Sequence, residues 1–129
     1  MAKITCTVNV QVTNGPKVAV TKTADVEAYD SLDVTIPKGG AETEVQVQPG
    51  GAGQVSFLLI TADQYADKLA YTVTSGGTDS YMLDGPHLMV GTGGVSLLDT
   101  TPPASLFFKN TDTAADAMVH ILVGRDATP

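Results

Sequence analysis

Tryptophan is missing from this chain, and cysteine occurs once, at Cys6. A lone cysteine excludes an intrachain disulfide, so nothing covalent staples the fold. The two scarcities together remove the Cys…Trp…Cys hallmark of the immunoglobulin sandwich. Positive charge is also sparse: seven Lys and Arg stand against 14 Asp and Glu, for a net charge of −7. The seven (Lys3, Lys17, Lys22, Lys38, Lys68, Lys109 and Arg125) are scattered singly. A nucleic-acid surface needs clustered cations to neutralise phosphates, and an anionic membrane has the same requirement, so neither partner is expected. The acidity reads first as solubility. No apolar run approaches the ~20 residues of a membrane-spanning helix. The opening MAKITCTVNV has neither an apolar h-region nor a small-residue cleavage site, so no signal peptide is expected.

A sustained 3.6-residue period is lacking too, and what replaces it is alternation. Residues 3–13 set Ile4, Cys6, Val8, Val10 and Val12 against Thr5, Thr7, Asn9 and Gln11, a half-buried strand with Cys6 as a small core residue. Asn14-Gly15-Pro16 ends it. Lys17–Lys22 is a second strand, Ala24–Tyr29 is ambiguous, and Leu32, Val34 and Ile36 mark a third. Thr43–Gln48 follows, then the Gly-rich loop Pro49–Gly53, which lacks the Lys-Ser/Thr ending of a phosphate cradle. Val55–Ile60 is apolar on both faces and predicts a central strand. Thr61-Ala62-Asp63-Gln64 has capping-box spacing and predicts one or two turns of helix through Lys68. Short strands are expected at Leu69–Thr74, Ser80–Leu83, Leu88–Val90 and Val95–Leu98. The densest apolar stretch, Ala104–Gly124, divides into SLFFKN and AMVHILV around the polar TDTAAD, a hairpin signal. Val119, Ile121 and Val123 read as core; Met118, His120 and Leu122 make the opposite face unusually apolar, so the strand is either sandwiched inside the fold or covered by a neighbour.

The 129 residues are expected to form one domain, 1–129, able to bury roughly two-thirds of the unfolded surface. About nine to eleven short strands with turn signals between them predict an all-β, two-sheet β-sandwich of jelly-roll type with at most one short helix. An immunoglobulin-like sandwich is the second choice.

No constellation for chemistry stands out. His87 follows Gly85-Pro86 on a turn and reads as solvated. His120 reads as a packed or interface histidine, with no partner at a spacing that completes a metal set. Neither Gly76–Ser80 nor Gly94-Val95-Ser96 forms a G-x-S-x-G elbow. The carboxylates are dispersed, and no D-x-[DN]-x-[DN]-G calcium loop is present. The expectation is a non-enzyme without catalytic, cofactor or metal residues.

The segment from Leu83-Asp84-Gly85-Pro86 through Leu106-Phe107-Phe108-Lys109-Asn110-Thr111 to His120–Asp126 resembles small structural proteins of tailed bacteriophages. The Gly, Thr and Val richness, the acidity, the small size and the absence of Trp look like capsid decoration (cement) proteins. That resemblance covers the last third of the chain best. It implies a β-rich homo-oligomer, with a trimer favoured, residing in the virion and bound to the major capsid protein, and it carries over no binding residues. Strands apolar on both faces agree with surface covered by partner subunits. The alternatives are a tail or baseplate component, or a carbohydrate-binding sandwich using exposed tyrosines among Tyr29, Tyr65, Tyr71 and Tyr81. A cupin-like enzyme would need a histidine cluster that two isolated histidines do not supply.

Overall fold

A computed structural model describes residues 2–47, 55–65, 68–76, 80–91, 95 and 105–125. It contains ten strands: β1 (Ala2–Gln11), β2 (Lys17–Val26), β3 (Ala28–Ile36), β4 (Thr43–Gln46), β5 (Val55–Ala62), β6 (Leu69–Thr72), β7 (Tyr81–Met82), β8 (His87–Val90), β9 (Ser105–Asn110) and β10 (Ala117–Arg125). β1 and β2 pair only with each other among the described residues; the other eight form two four-stranded sheets ordered β3-β10-β5-β8 and β4-β9-β6-β7.

The order follows from one long folded ribbon. β3 pairs antiparallel with β10, β4 with β9, β5 with β8 and β6 with β7. Successive pairs of the ribbon alternate between the two sheets before the chain turns back at β6-β7. That is the nested double Greek key of a jelly roll, eight strands in two facing sheets.

Alternation places the core between the sheets. On β10, Ala117, Val119, Ile121 and Val123 are buried, facing Ile36 on β3 and Leu58 and Ile60 on β5. Val45, Leu69, Tyr71, Leu106 and Phe108 close the core from the other sheet. The ring of Tyr71 lies 5.2 Å from Phe108 and 5.5 Å from Tyr81, an aromatic wedge in a chain otherwise short of aromatics.

The expected hairpin between SLFFKN and AMVHILV does not form. β9 pairs with β4 and β6, β10 with β3 and β5, and the six residues between them cross from one sheet to the other. Facing sheets lie ~10 Å apart, a gap that a six-residue loop spans easily. Buried Asn110 organises the crossing: its side-chain amide donates to the carbonyls of Ala115 (3.0 Å) and Ile36 (3.4 Å), and its Oδ1 accepts from the Asp112 amide at 3.1 Å. The expected helix after β5 is also replaced. Thr61 and Ala62 belong to β5, and Asp63 extends its pairing with β10: its amide donates to the Met118 carbonyl at 3.0 Å and its carboxylate accepts from the Met118 amide at 2.9 Å. The capping-box residues meet the sheet's own donors and acceptors first. Ala66 and Asp67, the rest of that helix, lie outside the described residues, as does the loop Pro49–Gly53. Val95 is helical, its amide donating to the Gly91 carbonyl at 3.1 Å, so the strand expected over Val95–Leu98 does not begin there; Ser96–Leu98 lie outside the described residues.

Candidate functional site: the β1–β2 arm and the groove beneath it

β1 and β2 pair over their full length, from Ala2 opposite Val26 to Gln11 opposite Lys17. Their turn holds Asn14 at φ 58°, in the left-handed region that Asn tolerates better than most residues. The Val12 amide donates to the Pro16 carbonyl at 3.0 Å and the Gly15 amide to the Val12 carbonyl at 2.8 Å. Gly15 packs closely there: a Cβ would sit 3.0 Å from the Val12 side chain, which would have to shift slightly.

The base of this arm is anchored on the jelly roll. Val26 is fully buried, and Gly124 on β10 leaves room for it: a Cβ at Gly124 would stand 2.6 Å from Ile4 Cδ1 and 3.0 Å from Val26 Cγ1. The Glu27 amide donates to the Arg125 carbonyl at 3.1 Å, and Arg125 forms an ion pair with Asp30. Past this anchor the arm leaves the body. Every residue from Asn9 to Thr23 is exposed, on both faces of the ribbon.

One face of the arm is apolar but for Lys22, opposite Cys6. Val8 pairs with Val20 and Val10 with Val18, while the other face carries Thr5, Thr7 and Asn9 against Thr23, Thr21 and Ala19. Val10, Val12, Val18 and Val20 are 54–56% exposed. The alternation expected in β1 is therefore present, but its apolar side is half-covered only at Ile4, Cys6 and Val8. Cys6 is a free, half-buried thiol rather than a core residue.

Between β1 and the outer face of the β3-β10-β5-β8 sheet lies a groove of about 620 Å³. Its floor is a cross-strand row, Leu122, Leu59 and Leu88, with Phe57 beside it, and its wall is the Ile4–Asn9 segment of β1. The groove is mostly apolar and open, and it accounts for the second apolar face of β5 and β10. The arm covers that face near Gly124 and leaves the rest accessible.

Next to this row three polar side chains converge. His120 Nδ1 lies 2.7 Å from Asp33 Oδ1, and its Nε2 lies 3.3 Å from Ser31 Oγ. His120 is more than eighty positions from Ser31 and Asp33 in sequence, and they meet because β10 pairs with β3. His120 is thus a surface histidine of the outer sheet face. The order Ser–His–Asp is that of an acyl-transfer triad, but the setting does not supply the rest of that chemistry. Ser31 stands mid-strand, with no sharp turn or helix N-terminus to gather amide donors for an oxyanion. The Asp33 side chain is 72% exposed, so water screens the charge that would hold an imidazolium.

His87 opens β8 facing inward, with Nδ1 2.7 Å from the Tyr71 hydroxyl, and is not the solvated turn residue its Gly-Pro neighbours suggest. Burial of Tyr71 pushes its phenol well above the ordinary value of 10. Of the four tyrosines considered for sugar stacking, Tyr71 is buried and Tyr81 half-buried, leaving Tyr29 and Tyr65 exposed. Among the described residues no three His, Cys, Asp or Glu side chains gather closely enough to hold a metal ion, and no helix is long and apolar enough to cross a membrane. No family model matches the chain, and no curated protein is similar to it at a significant level.

Proposed function

We propose that this chain is a non-enzymatic structural protein of a virion, a capsid decoration protein that self-associates and stabilises the shell by binding the major capsid protein. The observation that carries this reading is the arm: a two-stranded ribbon with four exposed valines on one face, projecting from a well-packed jelly roll. A ribbon of two strands is marginal in water on its own, and exposed apolar surface of this kind marks an interaction surface. A decoration protein needs a stable body and a complementary patch; it needs no perturbed catalytic group. The resemblance of the C-terminal third to small phage structural proteins supplies the class of partner. A role in the tail or baseplate uses the same features and is the second reading.

The test is solution mass by light scattering after size exclusion, followed by co-sedimentation with purified phage capsid shells. A mass near three times the 13.3 kDa chain and retention on shells are expected. A monomer that binds no shell would overturn the reading.

A further inference from the structure

The arm and the groove complement each other, yet the arm tip does not occupy the groove of its own chain. Val10 and its cross-strand partner Val18 lie beyond the Ile4–Asn9 segment of β1 that walls the groove of their own chain, and both are more than half exposed. Ten residues of strand span ~33 Å, and the exposed portion of β2, Lys17–Thr23, accounts for ~23 Å of it. Charge points the same way. The arm, residues 2–26, holds three of the seven basic residues and one of the 14 acidic ones, a net of +2; the remaining chain holds four basic against 13 acidic, a net of −9. A basic arm with an apolar face thus belongs to an acidic body carrying an open apolar groove.

We propose that the distal arm of one copy seats its Val10, Val18 and Val20 face in the groove of a second copy, against Leu59, Leu88 and Leu122, so that neighbouring subunits are joined by arm insertion. This rests on the self-association proposed above and names its contact surface. The contact is heterologous, arm to groove, and closes into a ring when the rotation between copies permits. It covers the exposed valines and completes the cover over the outer sheet face with one contact. Opposite net charges on arm and body draw the two together and disfavour the arm-to-arm arrangement.

The lone cysteine provides the test, because Cys6 lines the groove. Val18→Cys adds a thiol at the arm tip. Within one chain Cys6 lies opposite Lys22, four residues from Val18, a separation of ~13 Å along the strand. A disulfide requires Cα atoms within ~7 Å, so an intrachain bond is excluded. Under mild oxidation, Val18→Cys is expected to give disulfide-linked oligomers on a non-reducing gel, with peptide mapping joining position 6 of one chain to position 18 of another. Adding Cys6→Ser is expected to abolish them. Links that persist without Cys6 would mean arm-to-arm pairing and overturn the proposal. In parallel, Val10→Lys/Val18→Lys/Val20→Lys is expected to reduce the solution mass to that of one chain while the thermal transition of the body persists. A triple variant that keeps the wild-type oligomeric mass would overturn arm insertion and leave self-association standing. A wild-type chain that is monomeric at every concentration would overturn both.

Discussion

At the scale of single residues, polar groups hold the loops while apolar ones hold the sheets. Asn110 is 3% exposed and uses both ends of its amide to bind the chain crossing from one sheet to the other. Asn110→Ala leaves buried backbone groups without partners, and an unsatisfied buried group costs about 1–3 kcal/mol. Denaturant unfolding should register that loss with no change in slope. Glu42 ties a different loop: its carboxylate accepts from the Gly76 amide at 3.0 Å and the Ser75 hydroxyl at 2.7 Å, and these bonds, the Gly76 one foremost, hold its pKa below the ordinary 4.5. A depressed folded value stabilises fully above the unfolded one and is lost as pH falls through the folded one. Glu42→Gln should therefore flatten the stability profile on its acid limb, below about pH 4.5, and a matched pair of urea titrations across that range checks it. The Ser31–His120–Asp33 cluster yields a prediction of the opposite kind. Ser31 stands in the middle of β3 and not at a turn or helix N-terminus, so hydrolysis of an activated ester by the wild type should equal that of Ser31→Ala; a tenfold difference would give the cluster a chemical role.

Among the elements, the arm is fixed at its base and free elsewhere, and Gly124 is where the fixing occurs. A β-branched side chain there would drive into Val26 as well as the more yielding Ile4 Cδ1. Gly124→Val should lift the arm base from the sheet, raising proteolysis and amide exchange across residues 2–26 while β3–β10 remain protected. Uniform deprotection of both regions would show that arm and body open together. Much at this scale was legible from alternation alone: Val119, Ile121 and Val123 against Met118, His120 and Leu122 on β10, and Leu32, Val34 and Ile36 on β3. Alternation says which side of a strand is apolar and does not say what covers it. It therefore made Val10 and Val12 look as buried as Ile4, although only the base of β1 has a sheet beneath it. Turn chemistry was less dependable. Thr61–Gln64 has the letters of a helix cap, but Asp63 spends its hydrogen bonds on Met118, a residue 55 positions away.

For the molecule as a whole, the sandwich was readable and its wiring only in part. Strand spacing and turn signals pointed to a jelly roll, yet local signals favoured pairing β9 with β10, neighbours along the chain. The ribbon instead pairs β10 with β3, bringing Arg125 opposite Ala28. The same long-range pairing assembles Ser31, Asp33 and His120, which is why no sequence spacing flagged them. The ribbon begins at Ala28, so the eight strands of the jelly roll lie entirely downstream of the arm. Removing residues 1–26 should leave a folded body, because each core strand keeps its ladder partner. The body loses the cover over Phe57 and the buried Val26 side chain, and burying one such side chain contributes about 1.5–3 kcal/mol. The thermal midpoint should fall by on the order of 10 °C with the transition still cooperative. The near-ultraviolet signal of Tyr71, packed against Phe108 and Tyr81 in the β4-β9-β6-β7 sheet, should persist below that midpoint. A truncated chain that retains strand content but loses the Tyr71 signal would make the arm part of the packed core, and the valines at its tip would then need an explanation other than a docking surface.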